Sequence, residues 1–246
     1  MSSSGDELVA RAVGLFHSPD YIRHNARRLE HLASLRLPLA NATVLEIGAG
    51  IGDHTTFYLD RGCTVTSVEA RPENCQVFVS HLGSLTGYDA ERARVSLVAG
   101  DAEFLAGAVE GTFEIVHCYG LLYHLHDPEA ALAVMASVCT RLLLLETCVS
   151  FGSDEEVNTR REPASDPTQA VHGIGCRPTR PWVFSRLKRL FPHVYVPRTQ
   201  PAHREFPLDW SAPPPGALHR AVFVASRSPL QNDLLLGEIP QTQEPA

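Results

Sequence analysis

The chain lacks a long hydrophobic run and lacks the marks of a secreted protein. Its most apolar stretch, residues 142–145, has only the length of a strand, whereas a membrane span takes about 20 apolar residues. Residues 1–6 contain neither the basic region nor the apolar region of a secretory signal. We therefore expect a cytoplasmic protein that has no membrane partner.

The cysteines lack the CxxC spacing of a zinc or redox site. Several stand in apolar stretches, where a free thiol behaves as a small hydrophobic residue. Cysteines of a cytoplasmic protein stay reduced, so no disulfide framework is expected. The residues concerned are Cys63, Cys75, Cys118, Cys139, Cys148 and Cys176.

The chain also lacks an excess of positive charge. A net charge of −7 argues against a general nucleic-acid-binding surface. The charge is unevenly distributed, however, because residues 177–204 contain arginines and a lysine but no aspartate or glutamate. We do not expect DNA as a partner, and RNA stays open only as an alternative that would use this basic segment.

The order of apolar and polar residues predicts an α/β fold. A chain of 246 residues suits one sizeable domain. Residues 6–37 have helical spacing with a break at residues 18–20, where serine and proline suit the cap and first turn of a second helix. Strand-like and helical segments then alternate, which indicates a mostly parallel sheet that binds ligands at the carboxyl ends of its strands. The predicted strands are 43–47, 64–68, 95–98, 113–118 and 142–146, and the predicted helices are 54–61, 73–85 and 128–140.

The second half of the chain is less regular. Residues 150–179 are rich in glycine, proline and charged residues, which predicts a long loop beside the site. A helix at 181–190 and strands at 194–196 and 221–225 follow, and the two strands would complete the sheet as a hairpin-like edge. From residue 229 onward the polar, proline-containing sequence predicts a disordered tail.

The most informative segment is residues 44–53, VLEIGAGIGD, in which an apolar strand runs into glycines at alternate positions. Glycine lets a flat, polar ligand approach the backbone, because no Cβ is in the way. A dinucleotide fingerprint, GxGxxG, would need its third glycine at position 53, where this chain has Asp53. The spacing therefore disfavours an NAD-dependent oxidoreductase.

With Glu46 before the first glycine, the segment reads ExGxGxG and resembles motif I of class I S-adenosylmethionine-dependent methyltransferases. The resemblance implies a Rossmann-like sheet of seven mostly parallel strands flanked by helices, with S-adenosylmethionine as the cofactor. In that family the loop passes under the methionine and ribose parts of the cofactor, and the acidic residue orients the loop or faces the ammonium group. The residues that the resemblance assigns to cofactor binding here are Glu46, Gly48, Gly50, Gly52, Asp53 and His54.

Two further acidic residues follow strands in the order that this family shows. Glu69 ends the second strand, beside Ala70, and a carboxylate there can accept hydrogen bonds from both ribose hydroxyls. An NAD enzyme would also use such a residue. Asp101, between Gly100 and Ala102, resembles the residue that accepts a hydrogen bond from adenine, although it could instead be the N-cap of the next helix.

The loop after the fourth strand carries the candidate general base. Residues 123–128, YHLHDP, resemble the hHLxDP stretch common in small-molecule methyltransferases of this class. His124 is the first candidate for removing a proton from the acceptor, because imidazole titrates near neutral pH; a role in fixing the loop is the alternative. Weaker candidates for the base are His117, His126 and Tyr123, and the residues of this strand and loop expected near the cofactor are Cys118, Tyr119 and Tyr123.

Patterns for nucleic-acid methylation and for a metal are missing or weak in the same loop. It has neither the Asn/Asp-Pro-Pro-aromatic sequence of amino-methylating nucleic-acid enzymes nor the Pro-Cys pair of cytosine C5 methylation. His124, His126 and Asp127 could ligate a metal by composition, but HxHD is non-specific. We therefore predict no metal site.

The residues expected to bind the substrate lie mostly within residues 150–209. Small residues, guanidiniums and an indole there indicate a pocket in which arginine pairs with a carboxylate or phosphate. The candidates are His126, His172, Arg177, Arg180, Trp182, His203 and Arg204. The N-terminal helices are expected to cover the cofactor through Tyr21 and Asn25.

We accordingly expect a helical cap over residues 1–40, a methyltransferase domain over residues 41–228 with substrate-side loops at 150–215, and a disordered tail at 229–246. The predicted function is methyl transfer from S-adenosylmethionine to oxygen or nitrogen of a small, anionic metabolite or natural-product intermediate. An RNA-directed methyltransferase and a non-catalytic cofactor-binding partner protein stay as alternatives. The oligomeric state is not predicted.

Overall fold

The computed structural model describes residues 3–214 and 218–246. Residues 1, 2 and 215–217 lie outside the described residues, although they fall within the predicted cap and methyltransferase domain.

Two helices precede the sheet, α1 (Ser3–Phe16) and α2 (Pro19–Ser34). The break between them lies where the sequence predicts it. Ser18 is the N-cap of α2, and its hydroxyl accepts a hydrogen bond from the Tyr21 amide at 3.4 Å. Pro19 follows in the first turn, where its missing N–H has no consequence.

A central α/β unit follows the two helices. The predicted strands and helices are present to within a few residues, with additional short elements between them. The elements are β1 (Thr43–Ile47), α3 (Thr55–Leu59), β2 (Thr64–Glu69), α4 (Pro72–Ser84), α5 (Asp89–Arg92), β3 (Val95–Ala99), a 3-10 turn (Ala102–Phe104), α6 (Leu105–Ala108), β4 (Phe113–Tyr119), a second 3-10 turn (Leu122–His124), α7 (Pro128–Val138) and β5 (Cys139–Cys148).

The rest of the chain adds further strands and one helix. Part of the stretch predicted as a loop, residues 150–179, forms a two-stranded antiparallel hairpin. The elements are β6 (Val157–Arg161), β7 (Ile174–Pro178), α8 (Arg180–Leu190), β8 (His193–Pro197), β9 (Thr199–Gln200), β10 (Arg220–Ser226), β11 (Leu235–Leu236) and β12 (Glu244–Pro245).

The main sheet has the order β11-β8-β10-β5-β4-β1-β2-β3. The strands from β5 to β3 are parallel, and β10, β8 and β11 continue the sheet in antiparallel pairs. The mixed, mostly parallel Rossmann-like sheet is therefore confirmed, but it contains eight strands and not the predicted seven. The additional strand is β11, which comes from the segment predicted as a disordered tail and pairs with the edge of β8.

Residues 229–246 differ from the predicted disorder because they satisfy backbone groups of the domain. The Asn232 side chain donates to the Leu35 carbonyl at 2.7 Å, and the Gln243 side chain donates to the Pro197 carbonyl at 2.6 Å. Leu235 is 8% exposed and packs in the core. The polar side chains that suggest disorder by composition therefore form hydrogen bonds with the domain. The periodicity of the sequence does not predict these bonds.

Apolar layers cover both faces of the sheet, because alternate residues of β5 point to opposite sides. On one face α7 and α8 pack through Met135 and Leu187, which are fully buried. On the other face α2 and α3 pack through Leu32 and Tyr58, which are also fully buried. Within the described ranges, no helix has both the length and the apolar character needed to cross a bilayer.

A buried charge arrangement links the cap to the sheet. Glu146 on β5 is 0% exposed, and its carboxylate accepts from Arg28 of α2 at 2.7 Å and from Arg220 of β10 at 3.1 Å. Removing charges from water is costly, so such a carboxylate is stable only while its partners are present. The arrangement therefore makes the position of α2 depend on the central sheet.

Replacing Arg28 with methionine should lower the free energy of unfolding by about 3 kcal/mol, because Glu146 would remain buried with one partner fewer. Denaturant unfolding measures the change. Arg27→Met is the matched control, because Arg27 is an exposed neighbour that pairs with Glu30 on the same helix. The control should lose less than about 1 kcal/mol, and equal losses in the two variants would contradict the role given to Arg28.

Candidate active site

A cavity of about 320 Å³ opens at the carboxyl ends of the parallel strands. Its floor contains the ends of β1, β2, β3 and β4. Its walls come from α2, from residues 167–172 and from residues 203–205. The cavity therefore lies where the α/β topology predicts a ligand site.

The glycine loop after β1 forms part of this cavity through Gly48 and Gly50. Gly50 has a φ of 57°, and a Cβ there would come within 3.0 Å of the Phe16 ring. Gly52 has a different role, because it does not line the cavity and a Cβ there would lie 2.8 Å from Phe78 of α4. The first two glycines thus face the cavity, whereas the third lets α4 pack against the loop.

Glu69 lies against the glycine loop with both carboxylate oxygens engaged. Its Oε2 accepts from the Gly50 amide at 2.8 Å, and its Oε1 accepts from the Arg71 amide at 2.9 Å and from the Asn74 side chain at 3.2 Å. Burial raises the pKa of this carboxyl against these hydrogen bonds. Glu69 lines the cavity beside Ala70, as predicted, and Oε2 keeps a lone pair for a ligand hydroxyl.

Asp101 combines the two roles that its sequence context allows. Its Oδ1 accepts from the Glu103 amide at 2.9 Å, as an N-cap does, and its side chain lines the cavity. Its Oδ2 pairs with His172 Nε2 at 2.6 Å. His172, predicted to bind substrate, therefore occupies an oxygen that the resemblance assigns to adenine. Gly100 and Ala102 line the cavity on either side.

Four charged or polar residues predicted to bind the cofactor lie outside the cavity lining, in addition to Gly52 and Cys118. Glu46 is 2% exposed, and its Oε2 accepts from the hydroxyls of Thr55 at 2.7 Å and Ser67 at 2.8 Å. These bonds join β1 to β2 and α3, so Glu46 orients the glycine loop. The other three predicted residues placed behind the wall are Asp53, His54 and Asn25.

A buried hydrogen-bonded network replaces the cofactor contacts expected of these residues. His54 bonds to the Asn25 side chain and to His117, each at 3.2 Å, and Asn25 donates to Asp53 at 3.3 Å. His117 also bonds to the Tyr58 hydroxyl at 2.8 Å. Burial lowers the pKa of His117 to about 3, so this weaker base candidate is a buried neutral imidazole.

The aromatic residues divide between the cavity and its support. The cavity is lined by Tyr21, Tyr119 and Tyr123, three of the predicted cofactor residues. Cys118 lies behind the wall, and burial raises the pKa of its thiol to about 12. The Tyr123 hydroxyl accepts from Arg220 at 3.1 Å, which fixes its ring.

His124 lines the cavity and is paired with a carboxylate. Its Nδ1 is hydrogen-bonded to Glu162. Glu162 also accepts from the Ala170 amide at 2.9 Å and from Arg177 at 3.0 Å. Burial raises the pKa of Glu162, but these bonds and the charge of His124 prevail and lower it to about 2. Burial, with smaller contributions from the charges of Arg220 and Arg177, lowers the pKa of His124 against the hydrogen bond and charge of Glu162.

The predicted substrate residues separate into two groups. His172, His203 and Arg204 line the cavity. The other four lie outside its lining and have structural contacts. Arg177 binds Glu162 and stacks 4.6 Å from the Tyr123 ring centroid, Arg180 donates to the Pro240 carbonyl at 2.6 Å, Trp182 is 4% exposed in the core, and the His126 amide donates to Glu103.

Sequence reasoning missed several residues of the cavity wall. Arg28, His24, Glu205 and Arg220 line the cavity, and Glu162 lies directly behind His124. These residues belong to no short motif and are separated widely in sequence. The one available signal was Glu146, an acidic residue within an apolar strand, which requires buried cationic partners.

Among residues 3–214 and 218–246, two groups of side chains bring possible metal-ligating atoms within 4.8 Å of one another: His24 with His203 and Glu205, and Glu46 with His54 and His117. Neither group includes the HxHD residues, at which we predict no metal site; of these, Asp127 caps α7 by accepting from the Ala130 amide at 3.0 Å. Burial is the main cause that lowers the pKa of His24, and the nearby charges of Arg28 and Arg220 lower it further. The same positive charges oppose a cation there, so the absence of a metal stays our prediction.

Glu46→Gln should remove a pH dependence of stability. Burial raises the pKa of Glu46 from 4.5 to about 7, so between these values the folded chain holds a proton that the unfolded chain releases. Stability contributed by this group therefore falls as pH rises through that window, and relative to the variant the wild type should lose about 3 kcal/mol between pH 4.5 and 8. Denaturant unfolding across this range measures the difference. Glu114→Gln serves as control, because the half-exposed Glu114 pairs with Arg141 at the start of a neighbouring strand. A Glu46→Gln profile parallel to the wild type would contradict the argument.

The family model described as "Methyltransferase domain" matches residues 21–206, more than half of the chain. Over 114 residues the chain is 37% identical to the ubiquinone biosynthesis O-methyltransferase of Xanthomonas euvesicatoria pv. vesicatoria (strain 85-10), a match covering 46% of this chain and 45% of that protein. Over 102 residues it is 37% identical to the ribosomal RNA small subunit methyltransferase A of Anaeromyxobacter dehalogenans (strain 2CP-C), covering 41% and 36%. The chain thus matches less than half the length of these curated relatives.

Solved structures share the fold. The N-terminal domain of EvdMO1, crystallised in the presence of SAH and D-fucose, has a TM-score of 0.60 at 21% identity and covers 85% of this chain and 84% of its own. Magnesium protoporphyrin IX methyltransferase (ChlM) from Synechocystis PCC 6803 with bound SAH has a TM-score of 0.61 at 14% identity, covering 92% and 95%. Because the family model matches residues 21–206, the chain belongs to the methyltransferase domain family, and its predicted kinship with class I S-adenosylmethionine-dependent methyltransferases is confirmed.

Proposed function

We propose that this protein transfers a methyl group from S-adenosylmethionine to an oxygen or nitrogen atom of a small, anionic acceptor. One observation carries the proposal: a single cavity joins the glycine loop, the carboxylates of Glu69 and Asp101, and the imidazole of His124. A nucleoside-binding end and a proton-accepting end therefore share one space. This is the arrangement that methyl transfer from a nucleoside sulfonium requires.

The residues at the strand ends fit the cofactor. Gly48 and Gly50 leave the backbone open to the cavity, and Glu69 can accept from ribose hydroxyls while the Gly50 amide holds it. Asp101 can accept from an adenine amino group if His172 releases its Oδ2. S-adenosylmethionine would supply a methyl group on a sulfonium, which is already a good leaving group. The two named neighbours crystallised with SAH support this choice of cofactor.

The protein contributes mainly alignment. Positioning two reactants can provide about 7 to 11 kcal/mol, whereas a general base adds about 100- to 10,000-fold in rate. The walls that would align the acceptor are α2, which is tied to Glu146, and residues 203–205. The ring of His124 lines the same cavity, which supports its proposed role as the proton acceptor.

Positive charge in the cavity wall supports an anionic acceptor. Arg28 and Arg220 are paired with Glu146 and Glu205, so their charges are largely balanced. Arg204 lines the cavity as an exposed side chain, and within the described part of the chain it pairs with no carboxylate. Arginine binds carboxylate or phosphate through paired hydrogen bonds, so Arg204 is the proposed contact for the acceptor's charge.

An RNA acceptor is the second candidate, because one matched relative is a ribosomal RNA methyltransferase. The limited volume of the cavity, about 320 Å³, and the net charge of −7 favour a small acceptor over RNA. Incubating the protein with methyl-labelled S-adenosylmethionine and either total RNA or a panel of small carboxylates and phosphates separates the two. Label in a small product supports the proposal, label in RNA supports the second candidate, and cofactor binding without any product would indicate a non-catalytic partner protein.

Two variants should divide cofactor binding from turnover in that assay. Glu69→Ala should weaken cofactor binding about tenfold or more, because it removes a buried hydrogen-bonded carboxylate. His124→Ala should lower turnover about 100-fold while cofactor binding, measured by calorimetry, stays close to wild type. Loss of cofactor binding in His124→Ala with unchanged turnover at saturation would contradict the assignment of the base.

Arg204→Gln should raise KM for an anionic acceptor about tenfold with little change in kcat, because it removes a contact made equally in ground and transition states. Steady-state kinetics with the labelled donor measures both constants. Arg189→Gln is the control, because Arg189 belongs to the same basic segment but lies on α8 away from the cavity. Equal effects of the two substitutions would argue against a specific contact.

A further inference from the structure

We infer that Glu162 orients His124 as the base for a hydroxyl acceptor, so that the methylated atom is oxygen. The inference rests on the proposed function and narrows it. Glu162 belongs to no sequence motif and lies 38 residues beyond His124 in the chain, where only the folded loop brings it near. It acts through His124, and it is therefore a positioning residue.

The contact assigns the tautomer of the imidazole. A carboxylate is an acceptor only, so the Nδ1 atom that meets Glu162 carries the proton in the neutral ring. The lone pair then belongs to Nε2. Among the described residues Glu162 alone hydrogen-bonds to this ring, and the ring lines the cavity. Nε2 is thus left for the acceptor.

Glu162 is held rigidly in this position. Its side chain is 4% exposed and receives the Ala170 amide at 2.9 Å and Arg177 at 3.0 Å in addition to His124. Gly175 packs directly against it, because a Cβ at that position would lie 3.0 Å from Glu162 Oε1 and 2.5 Å from the Tyr123 carbonyl oxygen. The hairpin of β6 and β7 therefore fixes the position of the Glu162 carboxylate.

The charged groups that face the His124 ring change its pKa in opposite directions. Glu162 favours the protonated ring, whereas burial and the guanidiniums of Arg177 and Arg220 oppose it. Tyr123 covers the ring, with centroids 3.8 Å apart. The imidazole is consequently neutral near pH 7 and able to accept a proton, and the adjacent carboxylate stabilises the imidazolium that results.

A base with this support indicates an oxygen acceptor. A neutral amine already presents its lone pair and can lose a proton to water after transfer, but a hydroxyl must lose its proton as it attacks. In the proposed step the acceptor O–H proton passes to Nε2 and the oxygen bonds to the methyl carbon. The carbon–sulfur bond breaks with its electron pair going to sulfur, and the imidazolium then returns the proton to water.

The first test is an NMR titration of ¹⁵N-histidine-labelled protein, which requires no acceptor. The His124 signals are identified by their loss in His124→Gln. We expect the Nδ1–H tautomer in the wild type, and in Glu162→Gln a lower population of that tautomer with the pKa of His124 reduced by about one unit. An Nε2–H tautomer, or a pKa unchanged in Glu162→Gln, would overturn the inference.

The control variants separate orientation from loop stability. Arg177→Met removes a different partner of Glu162 and leaves the His124 contact, so the tautomer should stay as in the wild type. Glu155→Gln changes an exposed carboxylate of the same loop that pairs with Arg186 and should alter nothing. If Arg177→Met shifted the tautomer as much as Glu162→Gln does, Glu162 would act only by stabilising the loop, and its role in orienting His124 would be contradicted.

The second test identifies the acceptor atom. The labelled donor is offered with matched pairs, 4-hydroxybenzoate against 4-aminobenzoate and salicylate against anthranilate. We expect the methyl group on the hydroxyl oxygen. In Glu162→Gln we expect kcat to fall about tenfold or more and the acidic limb of the pH profile to move to lower pH, and we expect kcat to recover in Glu162→Asp. Methylation of the amines with kcat unchanged in Glu162→Gln would overturn the inference, whereas no cofactor binding in the wild type would instead defeat the proposed function.

Discussion

The buried contact of Glu146 with Arg28 and Arg220 joins three separate parts of the fold: the cap helix, the central strand β5 and the last long strand β10. A carboxylate in an apolar strand is tolerated only when cations are brought to it. The position of α2 over the sheet is therefore set by charge as well as by apolar packing. The cavity exists because this helix is held above the strand ends.

The same charges extend into the site. Arg220 also binds Glu205 at 2.7 Å and the Tyr123 hydroxyl at 3.1 Å, so the acceptor side of the cavity and the aromatic ring beside His124 share one cation. The loop of residues 162–177 depends on Glu162, which holds it against His124. Two buried carboxylates thus position the parts of the site that no motif describes. In the proposed methyl transfer, the alignment of donor and acceptor would depend on both.

Much of the fold could be predicted from local patterns. The glycine loop, the order of strands and helices, and the lining roles of Glu69 and Asp101 follow from strand-end positions, because the topology of a parallel sheet brings those ends to one edge. Arg177 and Arg180 were predicted as substrate contacts from composition, but they lie outside the cavity lining because Glu162 and the Pro240 carbonyl engage them. Composition identifies which groups can bind an anion and is silent on which of them the fold has already paired.

By itself the sequence determined the sheet type, the edge of the sheet at which the cavity lies and the family, since these depend on periodicity and on motifs of a few adjacent residues. Only the tertiary structure decided the eighth strand, the order in residues 229–246, and the pairing of His124 with Glu162. These features come from contacts between residues far apart in the chain. Such contacts contribute to stability only when the folded core has brought the residues together. Local sequence carries no record of such contacts, because each partner is an ordinary polar residue in its own neighbourhood.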